Sequence, residues 1–426
     1  MFTYKGRKPN VGKEALAALT SFLTVSYILV VNPGILSEVG IDYNTAFVAT
    51  ALSAGIASIL FGLIANRPFV LAAGMGLNAY FAYAVVGGMG VPVGAALAAV
   101  FLAGLLILAL SRSGLKIGEA IPESFKHALI GGLGLFLVFV GLQNSHIVVS
   151  DPATLLAMGD LSSAGAIVAI MGFFATSLLV ARGVTGGLFL GIVITTIVAM
   201  VAGLTPLPSG IVSMPPQMAP VWENINFYAL LDTALLPVIW AFFAISLFDE
   251  VGTMAALSAK SGHTGKRGKV KGLGKSLGAA SLGMMGGAAL GVPPVIPFLE
   301  SATGIKAGGR TGMVAVIAGL FFIASLFFFP LVKSVPVEAA APAVIIAGLL
   351  MLSGIGKIDY GDYTESVPAL MALAAIPFTF SIANGIGIGS ISYVFLKVAT
   401  NRWKEIHPAM LIVALLSIIV FAGAAA

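Results

Sequence analysis

The chain has 426 residues, 59% of them hydrophobic and 9% charged, with no cysteine and a formal net charge of +5. Soluble domains carry roughly 25% charged residues, so this composition excludes an ordinary soluble protein, and a mean hydropathy of +1.06 describes a polytopic membrane protein. The missing cysteines exclude disulfides, thiolate metal sites and thiol nucleophiles. In a membrane chain the surplus of Lys and Arg is a topology signal, not a sign of affinity for nucleic acid.

Residues 1–14 are basic and polar. The apolar run that follows outlasts a signal peptide and lacks a small-residue cleavage site, so it reads as a retained span. A span needs about 20 apolar residues. The runs place spans over 15–31, 45–65, 70–86, 91–111, 126–144, 162–181 and 186–204. After a loop at 205–233 a second set follows: 234–256, 273–291, 295–306, 311–332, 337–354, 366–383 and 385–399. The segment 400–426 holds one more apolar run, which either spans or lies at the interface. Basic residues fall in alternate loops: Lys5, Arg7, Lys8 and Lys13; Arg67; Arg112, Lys116 and Lys126; Arg182; and the cluster Lys260, Lys266, Arg267, Lys269, Lys271 and Lys275. The loops between them lean acidic, with Glu38, Asp42, Asp151, Asp160, Glu223 and Asp232. This asymmetry puts the N-terminus in the cytoplasm; the expected location is the plasma (inner) membrane.

Two spans are interrupted. Span three contains Gly74-Met-Gly-Leu-Asn-Ala-Tyr80, and span ten carries three prolines and Glu300 between Gly291 and Gly304. Irregular backbone at membrane depth is tolerated only where it faces protein or a cavity. Intramembrane carboxylates such as Glu300, Asp249 and Glu250 are functional-site candidates by default. Together these features point to a secondary transporter. The two sets of spans also resemble each other. Ala103-Gly-Leu-Leu-Ile-Leu-Ala-Leu110 matches Ala318-Gly-Leu-Phe-Phe-Ile-Ala-Ser325 at an offset of 215, and Ile121-Pro122 matches Val335-Pro336 at 214. Seven is odd, so the second copy is inverted. Inverted repeats place the substrate at the midplane, on broken helices from matching positions of each half, and the third and tenth spans match.

The stretch Glu300-Ser-Ala-Thr-Gly-Ile-Lys-Ala-Gly-Gly-Arg-Thr-Gly312 resembles the signature of the xanthine/uracil permease (nucleobase–ascorbate transporter) family, and more closely its adenine–guanine–hypoxanthine branch. Thr24 to Pro33, Gly74 to Phe81 and Phe248-Asp-Glu-Val-Gly-Thr253 support the likeness, which covers about Gly12 to Pro408. The resemblance implies an all-α fold of about fourteen spans in two inverted seven-helix repeats, with extended breaks in spans three and ten. It implies a core domain from 15–111 and 234–332 and a gate domain from 112–204 and 333–399. It also implies nucleobase substrates carried with protons, and makes a homodimer plausible. By position, Glu300 matches the carboxylate that holds the base, Asp249 the acidic residue of span eight, and Asn78 the polar residue of span three. Thr253, and Thr20 and Thr24 in span one, stand where uracil-type members often have histidine. That departure fits the purine branch and leaves proton coupling to Asp249 and Glu300.

A purine edge alternates N–H donors with nitrogen and oxygen acceptors. Glu300 is suited to accept from adjacent N–H groups, and Asn78 offers both a donor and an acceptor. Ser301, Phe81 and Thr24 complete the expected contact set, with Phe81 or Tyr80 as stacking rings. Asp249 and Glu250 point about 100° apart on a helix, so only one faces the site. Asp249 is taken as that residue, with Glu250 bracing the core through a hydrogen bond. Thr253 and Asn32 are taken as structural support, Asn32 standing at the helix end before Pro33. The competing role for Glu300 is a structural tie to Lys306 or Arg310. His127, His146, His263 and His407 are dispersed and make no metal site. Gly385-Ile-Gly-Ile-Gly389 lacks the strand–helix context of a dinucleotide loop. No cofactor or nucleic-acid partner is expected. The partners are a purine base and membrane lipid, and the coupling ion is a proton, with Na+ as the alternative. The rival functions are transport of uracil or xanthine, and an anion transporter of the same architecture. A channel and a membrane enzyme rank below them.

Overall fold

A computed structural model describes residues 2–4, 6, 8–112, 122–264 and 270–424. Lys5, Arg7, Lys116, Ile121, Lys266, Arg267 and Lys269, used above for topology and repeat, lie outside the described residues. The first half holds α1 (Val11–Val25), α2 (Ile28–Ser37), α3 (Tyr43–Ala65), β1 (Leu71–Ala73) and α4 (Met75–Ala79), which runs on as a π-helix over Tyr80–Gly88. Then come α5 (Val93–Arg112), α6 (Glu123–Asn144), a hairpin of β2 (Val148–Asp151) and β3 (Leu155–Met158), α7 (Ala164–Ala181) and α8 (Gly187–Val201). The second half holds α9 (Leu236–Ser261), α10 (Leu273–Ala289), β4 (Val295–Pro297), α11 (Ser301–Lys306), α12 (Met313–Ala324), α13 (Phe329–Lys333), α14 (Val337–Met351), α15 (Tyr363–Phe378) and α16 (Ile382–Ala399). A last helix, α17 (Pro408–Ala424), packs on α16.

Nine stretches among the described residues are long and apolar enough to cross a membrane. The other expected segments are the broken third and tenth and the shorter helices α8, α10 and α15. Local chemistry sets many boundaries. Asp42 caps α3 by accepting the Thr45 N–H at 2.9 Å, and α9 stops at Gly262, whose φ of +74° suits a residue without Cβ. The first span begins earlier than expected and breaks at Ser26-Tyr27. Its second piece, α2, contains Pro33, which has no N–H to continue the ladder. Asn32 is therefore inside a helix and fully buried, not at a helix end. The three glycines from Gly385 to Gly389 lie within α16.

The helices pack in two groups. In one, α3 contacts α10 and α12, α5 contacts α9 and α10, and α1 contacts α11 and α12. In the other, α6 contacts α14 and α15, α14 also contacts α7 and α8, and α15 contacts α16. The groups meet where α4 touches α6, α2 touches α14 and α9 touches α16.

The two breaks join each other. β1 pairs antiparallel with β4, in register Leu71↔Pro297, Ala72↔Ile296 and Ala73↔Val295. Pro293, Pro294 and Pro297 keep the tenth segment out of helix, and the ladder gives its backbone partners that lipid cannot supply. Gly74 N–H donates to Pro294 O and Phe298 N–H to Val70 O, both at 2.9 Å. Outer groups go to side chains: Leu71 N–H to Ser58 Oγ at 2.9 Å, and Val70 N–H to Ser301 Oγ at 3.0 Å.

At one end of the second packing group an ionic cluster ties α15, α16 and the turn before α17 together. Lys397 Nζ lies 2.9 Å from Glu365 and 2.7 Å from Glu405, and Arg402 reaches Asp362 at 2.6 Å and Glu405 at 2.7 Å.

Candidate substrate site

Glu300 occupies the N-cap position of α11, just past the β4 strand that fixes its approach. The residue is half-buried, and its carboxyl group forms no ion pair with a described residue. The structural tie to Arg310 is not made: that guanidinium donates instead to Ile305 O at 2.6 Å and Gly309 O at 2.7 Å. The neighbours of Glu300 come from α1, α2 and α9. The break in span one brings the Tyr27 side chain against the Glu300 carboxyl group. One turn along α11, the Thr303 hydroxyl donates to Glu300 O at 2.7 Å and stands 3.1 Å from the Thr24 hydroxyl, which itself donates to Thr20 O at 2.7 Å.

Asp249, on α9, is near enough to Glu300 for the two carboxyl groups to interact electrostatically. It is partly accessible, and Thr253 Oγ1, one turn on, donates to its Oδ1 at 3.2 Å. Glu250 points elsewhere and is fully buried. The hydrogen bond expected to make it a brace is not formed among the described residues, since neither of its oxygens has a partner there. Ser246, one turn earlier on the same face, is likewise without a partner.

Asn78 is fully buried on α4. Its Nδ2 donates to Asn32 Oδ1, Asn32 Nδ2 donates to Thr50 Oγ1 at 2.7 Å, and Thr50 donates to Ala46 O at 2.6 Å. Chains of this kind polarise each bond along them. Asn78 Oδ1 is buried and left without a partner among the described residues, so one end of the amide is fixed and the other is an unsatisfied acceptor. Two expected contacts are committed to protein. Phe81 is fully buried and packs on Phe242, with ring centroids 6.4 Å apart. Ser301 Oγ is taken up by the Val70 N–H, so it ties span ten to span three instead of facing a ligand.

The structure thus gathers Glu300, Asp249, Tyr27, Thr24, Thr303 and Thr253 around the start of α11, with Asn78 on the half-helix paired to it through the ladder. Sequence reasoning missed Tyr27 and Thr303. Thr303 carried a signal, one helical turn beyond Glu300. Tyr27 carried only the polar Ser26-Tyr27 pair inside an apolar run. Chemically, the arrangement offers two carboxyl groups, a phenol and an amide acceptor, and no described Lys or Arg side chain interacts with either carboxyl group.

A model described as Permease family (Xan_ur_permease) matches residues 12–388. The chain is 39% identical to the adenine permease AdeQ of Escherichia coli (strain K12) over 96% of this chain and 92% of that one. It is 36% identical to the guanine/hypoxanthine permease PbuO of Bacillus subtilis (strain 168) over 98% of each. Among solved structures, the transmembrane domain of the cyanobacterial bicarbonate transporter BicA superposes with a TM-score of 0.63 at 13% identity, covering 97% of this chain and 98% of that one. That likeness speaks for the fold alone.

Proposed function

The chain belongs to the Permease family, a multi-pass membrane protein and not an enzyme, and on that premise we propose that it imports purine nucleobases in symport with protons. The observation that carries the proposal is the placing of Glu300 at the N-cap of α11, beside Tyr27 and Asp249, opposite a half-helix whose Asn78 keeps an acceptor open. The relatives whose names give adenine, guanine and hypoxanthine as substrates cover nearly the whole chain.

In this reading the Glu300 carboxylate accepts from one edge of the purine, two adjacent N–H groups in guanine and a single one in hypoxanthine, and the Asn78 carbonyl accepts an N–H from another edge. Hydrogen bonds to an ionised acceptor are the stronger kind. Thr24 and Thr303 fix the α1–α11 contact that sets the position of Glu300. Asp249, held by Thr253, exchanges the coupling proton. Protonating Asp249 leaves Glu300 as the one charged carboxyl group, and a site with one charge is less costly to move across the membrane than one with two. The helix group around α3, α10 and α12 serves as the core, 15–111 with 234–332. The group around α6, α14 and α15 serves as the gate, 112–204 with 333–399. Rocking of one against the other exposes the site to each side in turn. The basic loops support an N-terminus in the cytoplasm. Anion transport by this architecture is disfavoured, because an anion site calls for cations where this one has carboxyl groups.

The test is uptake of labelled adenine, guanine and hypoxanthine into proteoliposomes under an inward proton gradient, with wild type and Glu300→Gln. Gradient-driven uptake that purines compete for and that Glu300→Gln abolishes supports the proposal. A folded protein that moves no purine overturns it.

A further inference from the structure

Away from the substrate site, a cavity of about 410 Å³ lies between the N-terminal segment and the loop that follows α11, lined by Tyr4, Lys8, Asn10, Lys13, Glu14 and Arg310. Three of these side chains are cations, and none is in ion-pair contact with a carboxylate among the described residues. The one carboxylate, Glu14, is only 2% exposed and already satisfied. Its Oε1 accepts the Arg310 N–H at 3.0 Å, and its Oε2 accepts the Thr311 N–H at 3.1 Å and the Thr311 hydroxyl at 2.9 Å. The cavity therefore carries net positive charge, three cations against one carboxylate whose acceptor positions are taken up by the protein.

Its walls are held in place. Asn66 Nδ2 donates to Thr3 O at 3.0 Å while its Oδ1 accepts the Gly312 N–H at 2.9 Å, so one side chain links both walls. The Tyr4 ring meets His263 edge-on, with centroids 5.3 Å apart. Arg310 donates to the Ile305 carbonyl in the last turn of α11 and to the Gly309 carbonyl in the loop beyond it, so a ligand there meets guanidinium beside those oxygens. Beside the cavity the outer face of α1 leaves Val11, Leu16 and Leu19 exposed, an apolar strip next to a cationic one.

We propose that this cavity binds a phosphate ester, and that the adjoining strip on α1 favours one carrying acyl chains. Lysine and arginine are the side chains that hold phosphate oxygens. The cavity is large enough for a headgroup such as phosphoglycerol. The same chemistry is available from a soluble phosphate ester. Occupancy bears on transport, because α11 is six residues long. At 1.5 Å per residue, only about 9 Å separates the Arg310 end from the Glu300 end. An anion clamped by Lys8, Lys13 and Arg310 fixes the loop that anchors the substrate-facing helix.

The test uses full-length protein in a neutral detergent at constant ionic strength. Thermal unfolding midpoints are followed against rising phosphatidylglycerol, and separately against glycerol phosphate, for wild type, Lys8→Gln/Lys13→Gln and Lys260→Gln/Lys275→Gln. The second double variant removes the same charge from exposed positions elsewhere. The expected result is a saturable rise of the midpoint for wild type and Lys260→Gln/Lys275→Gln. In Lys8→Gln/Lys13→Gln the half-saturating concentration should rise about tenfold or more, the effect of losing two charge-assisted contacts. A response to phosphatidylglycerol alone identifies a lipid ligand, and an equal response to glycerol phosphate a soluble one. The proposal is overturned if neither probe gives a saturable shift, if Lys8→Gln/Lys13→Gln responds as wild type does, or if Lys260→Gln/Lys275→Gln loses the response equally.

Discussion

Gly134 on α6 and Gly348 on α14 touch backbone to backbone. A Cβ on Gly134 would come within 2.6 Å of Gly348 O, and one on Gly348 within 2.5 Å of Gly134 O. Their separation, 348 − 134 = 214, is the offset that relates Pro122 to Pro336. Equivalent residues of two inverted copies can meet in this reciprocal way only near the axis that relates the copies. Gly134→Ala or Gly348→Ala must push α6 and α14 apart. Overpacking of this kind costs about 1–3 kcal/mol, so each variant should unfold at a clearly lower temperature. Gly356→Ala serves as the control, because nothing lies within 4 Å of its added Cβ. Equal midpoints for all three would contradict the reading.

The Asn78–Asn32–Thr50 chain predicts that a residue with no assigned contact to the base still governs its binding. Asn32→Ala removes the acceptor of Asn78 Nδ2 and frees the amide to rotate. Interhelical hydrogen bonds in membranes are worth roughly 0.6 kcal/mol on average and up to about 1.7, which corresponds to about 3- to 20-fold in apparent purine affinity. Asn32→Ala and Asn78→Ala should be strongly non-additive in a double-mutant cycle on KM. Additive effects would show that the two amides act separately.

Tyr27→Phe keeps the ring and removes the hydroxyl beside Glu300. The protein should fold normally, since the ring is kept, while apparent affinity for purine falls by about 10- to 150-fold, the worth of one hydrogen bond to a charged group of about 1.5–3 kcal/mol. Unchanged uptake kinetics would remove Tyr27 from the site.

Much of this arrangement was legible in the sequence for identifiable reasons. Prolines and glycines write backbone irregularity directly, so the third and tenth breaks could be read from Gly74 to Tyr80 and from Gly291 to Gly304. A carboxylate in an apolar run is as plain a signal, and Glu300 lies where the break exposes it. The partner of a strand three residues long is another matter. Nothing in Leu71-Ala-Ala73 specifies Val295-Ile-Pro297, because register is decided by backbone groups that all residues share. Tyr27 was hidden for a related reason: a tyrosine in Ser26-Tyr-Ile-Leu-Val-Val reads as part of an ordinary span until the chain breaks beside it. The β2–β3 hairpin leaves only Asp151-Pro152 as a turn signal in the sequence, between strands too short to show an alternating pattern.

The cluster at the end of α16 predicts an acid limit to stability. Hydrogen bonds from Thr364 and Arg402 hold Asp362 down from 3.8 to about 2, and those from Arg402 and Lys397 hold Glu405 down from 4.5 to about 2. Both folded values lie below the unfolded ones. Their contribution is therefore complete above about pH 5 and is lost as pH falls toward about 2. The thermal midpoint of wild type should drop through that window more steeply than that of Asp362→Asn/Glu405→Gln, and the two should differ most near neutral pH. Parallel curves would show that the cluster adds nothing to the folded state.

The β1–β4 ladder also dictates an order of manufacture. Residues 71–73 leave the ribosome long before their partners at 295–297 exist. During that interval their backbone N–H and C=O groups have no strand opposite them, and the bilayer interior holds no water to take its place. The third segment therefore cannot settle at its final depth when it is made. It must wait near the interface or in the insertion machinery until the tenth arrives. The first half of the chain is consequently not an independent unit of membrane insertion, and a ribosome that stalls between the halves leaves behind a product with an open edge.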